Sequence, residues 1–485
     1  MSDVNRPTVP PHAPAPGDAL PPDAPDPDET LRLERRRFFR TLAGDAVRTA
    51  ATLVGAAGAL RDTTQEVANS VLAESAAPGL AAPAAATAST IPTGFRSPFR
   101  LEADRLVLVD QRRLPDELVE VVCESAGDVA QAIREMVVRG APALGQVAAA
   151  GLALAAGRAA NTKPYARRAI LRGSSNALVN ARPTAVSVRW AVNRMLARYA
   201  ALGELLDDGP AVAAALREEA EAIIGEATTD HAEMARLGAA LLPDPGDRPL
   251  QVLTHCNTGP LACGQIGTAL GVVQALAADG RSVHVYVDET RPWLQGARLT
   301  AWELAQAGIP YTLLADAAAG WLLASGAVDA VLVGADRIAA NGDTANKVGT
   351  YPLAVLAARH GVPFHVVAPT ATLDGEAADG SGITVEMRGA GEVTSVAGKR
   401  IAPAGAAAFN PSFDVTPAEL ITTIVTEAGV LRPPFGRAIA AAIEAREARR
   451  PSPPPGPDAP DPPPGPDAPG ASPGPDAPEA PTAGA

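Results

Sequence analysis

Cysteine is scarce in this chain: Cys123, Cys256 and Cys263 are the only three in 485 residues. So odd and sparse a set does not look like a disulfide framework and suits a reducing compartment. Positive charge is in deficit, with 41 Lys and Arg against 54 Asp and Glu and a formal net charge of -13. That balance argues against a general nucleic-acid or acidic-membrane binder, either of which needs a basic surface. No apolar stretch reaches the ~20 residues that cross a bilayer as a helix. Also missing are a Gly-x-Gly-x-x-Gly turn in dinucleotide context, a Walker loop and any Cys/His cluster with metal-ligand spacing. The chemistry is therefore expected to need neither cofactor nor metal. What remains is a soluble, largely globular chain, 47% hydrophobic. It is long enough for two packed domains and additional segments.

Both ends read as poor in core material. Residues 1–30 are rich in Pro, Asp and Ala and nearly free of branched apolar side chains. Such a stretch cannot bury enough apolar surface to offset its ordering entropy and is expected to be disordered. The same holds for 446–485, where Pro-Gly-Pro-Asp-Ala-Pro recurs from Pro455, Pro464 and Pro473; this is a low-complexity, polyproline-II-leaning tail. Residues 31–75 differ. Phe39, Leu42, Ala46, Ala50, Leu53, Ala57 and Leu60 recur at helical spacing and predict an amphipathic helical segment. The run from Arg35 to Arg40 resembles a twin-arginine export signal, but Asp45 and Arg48 separate it from the apolar run Thr49 to Leu60. An amphipathic helix packing on the body, a partner or a membrane surface is the preferred reading. An Ala/Pro-rich linker, 76–93, separates it from the rest.

The core is expected to be α/β. Residues 94–246 read as a small N-terminal domain, mostly helical with a few strands: Leu106 to Val109 and Leu118 to Cys123 are strand-like, and Ala126 to Val138 has helical periodicity. Pro142 stands at the first turn of a helix expected over Ala143 to Ala160, a favoured place for proline. Residues 247–445 read as a Rossmann-like domain. Short apolar strands around Val252, Val283 to Val287, Tyr311 to Leu314, Ala330 to Val333 and Phe364 to Val367 alternate with helical segments. That alternation predicts a parallel sheet with crossover helices.

Two strand ends carry chemistry-bearing residues. Thr254-His255-Cys256-Asn257-Thr258-Gly259 comes after the run Leu250 to Leu253, and Gly334-Ala335-Asp336-Arg337 after Ala330 to Val333. In open α/β sheets ligands bind at the carboxyl ends of strands. Helix-start amides after Cys256 would favour its thiolate, whereas Cys263 fits a small core hydrophobe and His255 a side chain that holds the turn. Asp336 has two readings: a carboxylate paired with Arg337 or Lys347, or a desolvated acid poised as a proton donor. Arg139-Gly140-Ala141-Pro142, Arg182-Pro183-Thr184-Ala185 and Asn346-Lys347 each place a cation at an expected helix start, where free amides and the helix dipole favour anions. The last pair is expected in a loop that begins a helix toward Ala358. Three such sites suggest a phosphorylated substrate. Asp288-Glu289-Thr290-Arg291-Pro292 closes another strand, with Gln295 and Arg298 on the next turn, and Glu289 and Arg291 are candidates to pair.

In this order the motifs resemble the methylthioribose-1-phosphate isomerase family of the initiation-factor-2B-like superfamily. The matching blocks are VVRGAPALG (137–145), RPTAV (182–186), LTHCNTGPLA (253–262), VYVDETRPWLQGARLTAWEL (285–304), GADRIAANGDTANKVGTY (334–351) and FNPSFDVTPAELIT (409–422). Ser187 stands where the family usually has asparagine. The resemblance spans roughly Arg100 to Phe435. It implies a two-domain homodimeric, cytoplasmic enzyme of methionine salvage that interconverts an aldose 1-phosphate and a ketose 1-phosphate. It puts the proton donor on Asp336, the transition-state-stabilising cysteine on Cys256, and substrate-binding positions on Arg139, Gly140, Ala141, Arg182, Gln295, Asn346 and Lys347. The competing readings are an isomerase of ribose 1,5-bisphosphate, which would need a further cationic subsite, and a non-catalytic regulatory subunit of the same fold, which would lack the full Cys/Asp setting.

Overall fold

The computed structural model describes residues 94–448 except Thr184. The expectations for 1–93, including the amphipathic helix, the export-like arginines and the linker, lie outside these residues, as does the repeat tail.

The described residues open with an antiparallel meander of β1 (Phe99–Leu101), β2 (Leu106–Val109) and β3 (Glu120–Cys123). Helix α1 (Ala126–Arg134) begins at a capping box, in which Ser125 and Asp128 satisfy each other's backbone amides. It stops short of the expected Val138 because Met136 takes a left-handed backbone, φ 58°. Helix α2 (Ala141–Arg158) is almost wholly buried, and its run of Ala and Gly lets neighbours approach closely. It packs among α3 (Pro164–Ala181), α4 (Val186–Ala200) and the long α5 (Gly209–Leu241), whose N-cap Asp208 accepts from the Ala211 amide at 3.0 Å.

Helix α5 ties these helices to the large sheet. Gly238 lies so near Val272 that a Cβ would fall 2.4 Å from its side chain. The remaining elements are β4 (Leu250–Thr254), the single turn α6 (Pro260–Cys263), α7 (Ala269–Ala278), β5 (Val283–Asp288), α8 (Ala301–Gln306), β6 (Tyr311–Leu314), α9 (Ala319–Ala324) and β7 (Ala330–Val333). Then come β8 (Arg337–Ala339), β9 (Thr344–Lys347), α10 (Thr350–His360), β10 (Phe364–Val367), β11 (Leu373–Asp374), β12 (Phe413–Thr416), β13 (Thr423–Thr426), β14 (Gly429–Leu431) and α11 (Gly436–Ala448).

The large sheet has the order β14-β13-β10-β7-β4-β5-β6, parallel throughout except for the terminal hairpin β13–β14. Strands β7 and β10 are buried at every residue, as continuous apolar runs in a sheet covered on both faces should be. From β4 the chain steps outward to β5 and β6, then returns to β7 on the other side and continues to β10 and β13. The direction of winding therefore reverses between β4 and β7, where an open α/β sheet leaves a crevice at its carboxyl edge.

Two expectations need correction. Asn346 and Lys347 lie on strand β9, not in a loop, because β12 pairs with it in the register Asn346↔Asp414 and Lys347↔Phe413. Helix α10 starts later, after Gly349 in a left-handed conformation. The last helix also runs past the boundary expected at 445, with Arg446 donating to the Thr370 carbonyl at 2.7 Å.

Within α5, His231 is 1% exposed, and burial pushes its pKa down to about 4. The unfolded imidazole titrates near 6.5, so its contribution is intact above that pH and is lost as pH falls toward 4. In urea titrations the stability advantage of the wild type over His231→Gln should shrink by about 2–3 kcal/mol between pH 7 and 4.5. A gap that stays constant would show that this histidine titrates alike in the folded and unfolded chain.

Candidate active site

Just beyond β4 the backbone turns sharply, and Cys256 sits in the left-handed region with φ 66°. Both of its backbone groups are tethered. Its N–H donates to Thr290 Oγ1 at 2.9 Å, and its carbonyl accepts from Thr300 Oγ1 at 2.6 Å. His255 braces the turn from behind: Nδ1 lies 3.0 Å from an Asp288 carboxylate oxygen, and Nε2 donates to the Val348 carbonyl at 2.9 Å. This is the structural role expected of it. Asp316 joins His255 and Asp288 within 4.8 Å, a spacing open to a metal ion. Its two oxygens, however, accept the Thr290 and Arg291 amides, and both His255 nitrogens are engaged, so the trio works as a hydrogen-bonded brace. Arg291 donates to the carbonyls of Pro292 and Val393 in place of the expected pairing with Glu289.

The helix after Cys256 is only the single turn α6, too short for much of the dipole that the sequence promised. Cys263 ends that turn. Burial pushes its thiol up to about 12, and that of Cys123 up to about 11, so both behave as core hydrophobes.

Asp336 lies just past β7, on the strand next to β4, and its N–H donates to the Ala345 carbonyl at 2.9 Å. It keeps some surface open to the cavity, yet protein surrounds the carboxyl deeply enough that burial dominates and raises its pKa. The charges of Lys347, Arg182 and Arg139 oppose that rise, while Glu386 adds to it. The pairing alternative fails for Arg337, which turns to Asp374 at 3.5 Å. Lys347 Nζ donates to the Ser412 carbonyl at 2.5 Å and lies 5.1 Å from the centre of the Phe413 ring. Burial lowers the pKa of Lys347 as well, against the charges of Cys256 and Asp336.

These side chains face one cavity of about 1120 Å³. Of the nine residues singled out in the sequence, Arg139, Gly140, Ala141, Arg182, Cys256, Gln295, Asp336 and Lys347 line it. Asn346 is absent from the lining: successive strand residues face opposite ways, and its Nδ2 donates instead to Thr350 Oγ1 at 3.0 Å. Gly140 has φ 95°, and a Cβ there would fall 2.1 Å from the Ala262 carbonyl oxygen, so the turn at the start of α2 accepts only glycine. Arg139 Nη1 and Gln295 Oε1 are buried with no protein partner among the described residues, polar atoms left for a ligand.

Sequence reasoning missed Ser412 and Arg388. Ser412 Oγ is a further unpartnered atom on the cavity wall, and Arg388 lines the same wall while bound to Glu392. Ser412 lies inside the recognisable block FNPSFDVTPAELIT and could have been found there. Arg388 comes from the irregular segment between β11 and β12, which has no periodic signal.

The comparisons with known proteins agree with this geometry. A family model described as the initiation factor 2 subunit family matches residues 137–433, more than half of the chain. A methylthioribose-1-phosphate isomerase of Anaeromyxobacter sp. is 54% identical over 338 residues, 70% of this chain and 94% of the relative. Among solved structures, a 5-methylthioribose 1-phosphate isomerase from Pyrococcus horikoshii superposes with TM-score 0.68 at 40% identity, covering 73% of this chain and 97% of that one. A protein described as translation initiation factor eIF-2B, subunit delta, from A. fulgidus gives TM-score 0.64 at 37% identity, covering 73% and 100%. The chain belongs to the initiation factor 2 subunit family and, within it, to the methylthioribose-1-phosphate isomerases.

Proposed function

We propose that this enzyme converts 5-methylthio-α-D-ribose 1-phosphate to 5-methylthio-D-ribulose 1-phosphate in methionine salvage. One observation carries the reading: Asp336 and Cys256 end neighbouring strands where the sheet's winding reverses, and both face a cavity that also holds Arg139, Arg182 and Lys347. A sugar phosphorylated on its anomeric oxygen cannot open spontaneously to an aldehyde. Opening requires a proton on the ring oxygen as its bond to C1 breaks, and a carboxyl kept neutral by burial supplies that proton. The C2 hydrogen must then reach C1. It travels as a proton through an enediol-like species with the Cys256 thiolate as acceptor, or as a hydride with Cys256 beside the developing charge. In either route the hydroxyl proton on C2 goes to the Asp336 carboxylate, which restores the acid, and in the proton route the Cys256 thiol returns the C2 proton to C1. Arg139, Gly140, Ala141 and Arg182 bind the phosphate, and Gln295 and Lys347 bind the sugar and phosphate oxygens. Asn346 supports Lys347 from the opposite face of β9. Incubating the purified protein with the 1-phosphate and following the ketone carbon by ¹³C NMR tests the assignment; no ketose product would refute it.

The described cations argue for a single phosphate subsite. Of the other cations on the cavity wall, Arg388 is held by Glu392, Arg194 by Glu219 and Glu226, Arg198 by Glu218, Arg337 by Asp374 and Arg446 by Glu447, so none offers an unneutralised charge to a second phosphate. The alternative reading is a regulatory subunit without turnover. Here the Cys256/Asp336 pair in a cavity with unpartnered polar atoms favours catalysis.

Cys256 is expected to be alkylated faster than Cys123 or Cys263, because only it lines the cavity, and substrate should protect it. Mass-spectrometric labelling that finds Cys263 fastest would remove Cys256 from the site.

The enzyme works in the cytoplasm as a homodimer of two-domain subunits divided near residue 246. Its three cysteines are unpaired, as a reducing compartment allows. Tyr311 and Leu313 on the edge strand β6, and Trp321, Tyr351 and Val355 on α9 and α10, are exposed large apolar side chains suited to a subunit interface. A chain trimmed to 94–448 should keep full activity and a dimer mass by light scattering. Loss of either would assign residues 1–93 or the tail to the working structure.

A further inference from the structure

Glu303 is a carboxyl group that none of these steps uses. It projects from α8 beneath the Cys256 turn and is 3% exposed. Its Oε1 accepts the Leu261 N–H at 2.6 Å, and its Oε2 accepts from Asn257 Nδ2 at 2.6 Å. Gly259 packs so closely that a Cβ there would lie 2.2 Å from Oε2. The chain of bonds continues: Asn257 Nδ2 donates its other hydrogen to Thr300 Oγ1 at 3.2 Å, and Thr300 Oγ1 donates its only hydrogen to the Cys256 carbonyl at 2.6 Å. Asn257 Oδ1 is buried and has no partner among the described residues.

We infer that Glu303 is a positioning residue for Cys256: its carboxylate fixes the Asn257 amide with nitrogen toward Thr300, which leaves the Thr300 hydrogen for the Cys256 carbonyl. Protonation at Oε2 would set an O–H against the Asn257 N–H, two donors face to face. Turning the amide over relieves this, because the orphaned Oδ1 then accepts from the carboxyl. The same Oδ1 now faces Thr300 and competes with the Cys256 carbonyl for a single hydrogen. The left-handed turn at Cys256 then keeps one firm tether, Thr290, in place of two. Burial pushes the pKa of Glu303 up to about 7, against its bonds from Leu261 and Asn257 and the charge of Arg139. The ionisable groups facing it are Arg139 and Cys263, and Cys263 stays neutral throughout this range. The firm arrangement therefore belongs to the ionised form and is lost as pH falls through about 7.

The inference rests on Cys256 belonging to the reaction site, so its test includes a readout that needs no substrate. Glu303→Gln presents an amide N–H to Asn257 at every pH and imposes the turned arrangement. The ratio of wild-type kcat to that of Glu303→Gln, in which the Asp336 titration cancels, should fall about 10-fold or more from pH 8 to 6, a loss in the range expected for misplaced groups. Glu303→Gln should sit at or below the wild-type value at pH 6 and lose that limb, with KM within about threefold. Thr300→Val keeps the carboxyl but cuts the relay, and it should lose the limb too. The substrate-free readout is the iodoacetamide rate at Cys256 in the wild type divided by that in Thr300→Val. It should change by about threefold or more across the same window, a shift of the size expected from one lost hydrogen bond. A wild-type limb retained in either variant, or a labelling ratio constant with pH, would overturn the role of Glu303. A ratio that changes in a protein without isomerase activity would leave Glu303 standing and defeat the proposed function instead.

Discussion

Asp336→Asn should lower kcat by at least about 100-fold while substrate still binds, because general acid–base groups contribute ~10²–10⁴-fold. Asparagine keeps the shape and hydrogen-bonding size of the side chain but cannot give up a proton to the ring oxygen. The wild-type enzyme needs Asp336 protonated, and burial raises its pKa above the ordinary carboxyl range. Activity is thus present below the raised pKa and lost as pH climbs through it. Steady-state kinetics with an independent binding titration checks the prediction. More than about a tenth of wild-type kcat in the variant would take Asp336 out of the donor role.

Gly140→Ala should be nearly as damaging, for a reason of backbone geometry. The added methyl would meet the Ala262 carbonyl oxygen at 2.1 Å and its Cα at 2.4 Å, and backbone atoms cannot swing aside as a side chain would. The left-handed φ of 95° adds strain of about 1–3 kcal/mol for a residue with a Cβ. Relief requires the start of α2 to move away from α6, carrying Arg139 with it. A displacement of about 1 Å at reacting or binding groups costs ~10²-fold, so kcat/KM should fall by about that factor. Gly157→Ala is the control. It lies in the same helix with open space around it and should leave activity unchanged. Wild-type kcat/KM in Gly140→Ala would mean that the α2 N-terminus does not position the substrate.

Much of this architecture was legible because parallel strands buried on both faces are continuous apolar runs. Val283 to Val287 and Ala330 to Val333 advertise themselves in that way, and the residues at the ends of such runs are natural site candidates. The small sheet was not legible. Strand β9 lies between β8 and β12, and no local pattern in Thr344-Ala345-Asn346-Lys347 announces its longer ladder, to residues so distant in sequence. Once the strand is known, its alternation explains why Lys347 reaches the cavity and Asn346 does not. The tethers of Cys256 were hidden for the same reason. Thr290, Thr300 and Glu303 come from the turn after β5 and from the helical segment that follows, and only the fold brings them under the Cys256 turn. Arg388 arrives from a segment with neither strand nor helix periodicity, so only the fold places it on the wall.

An isomerase for a pentose phosphorylated on its anomeric carbon, with a single phosphate subsite, should separate mono- from bisphosphorylated sugars sharply. The ratio of kcat/KM for methylthioribose 1-phosphate to that for ribose 1,5-bisphosphate tests it most directly. A second phosphate would be desolvated against Arg388 and Arg194, whose charges glutamates already neutralise, so the ratio should exceed about 100. A preference for the bisphosphate, or turnover of neither sugar, would contradict the account.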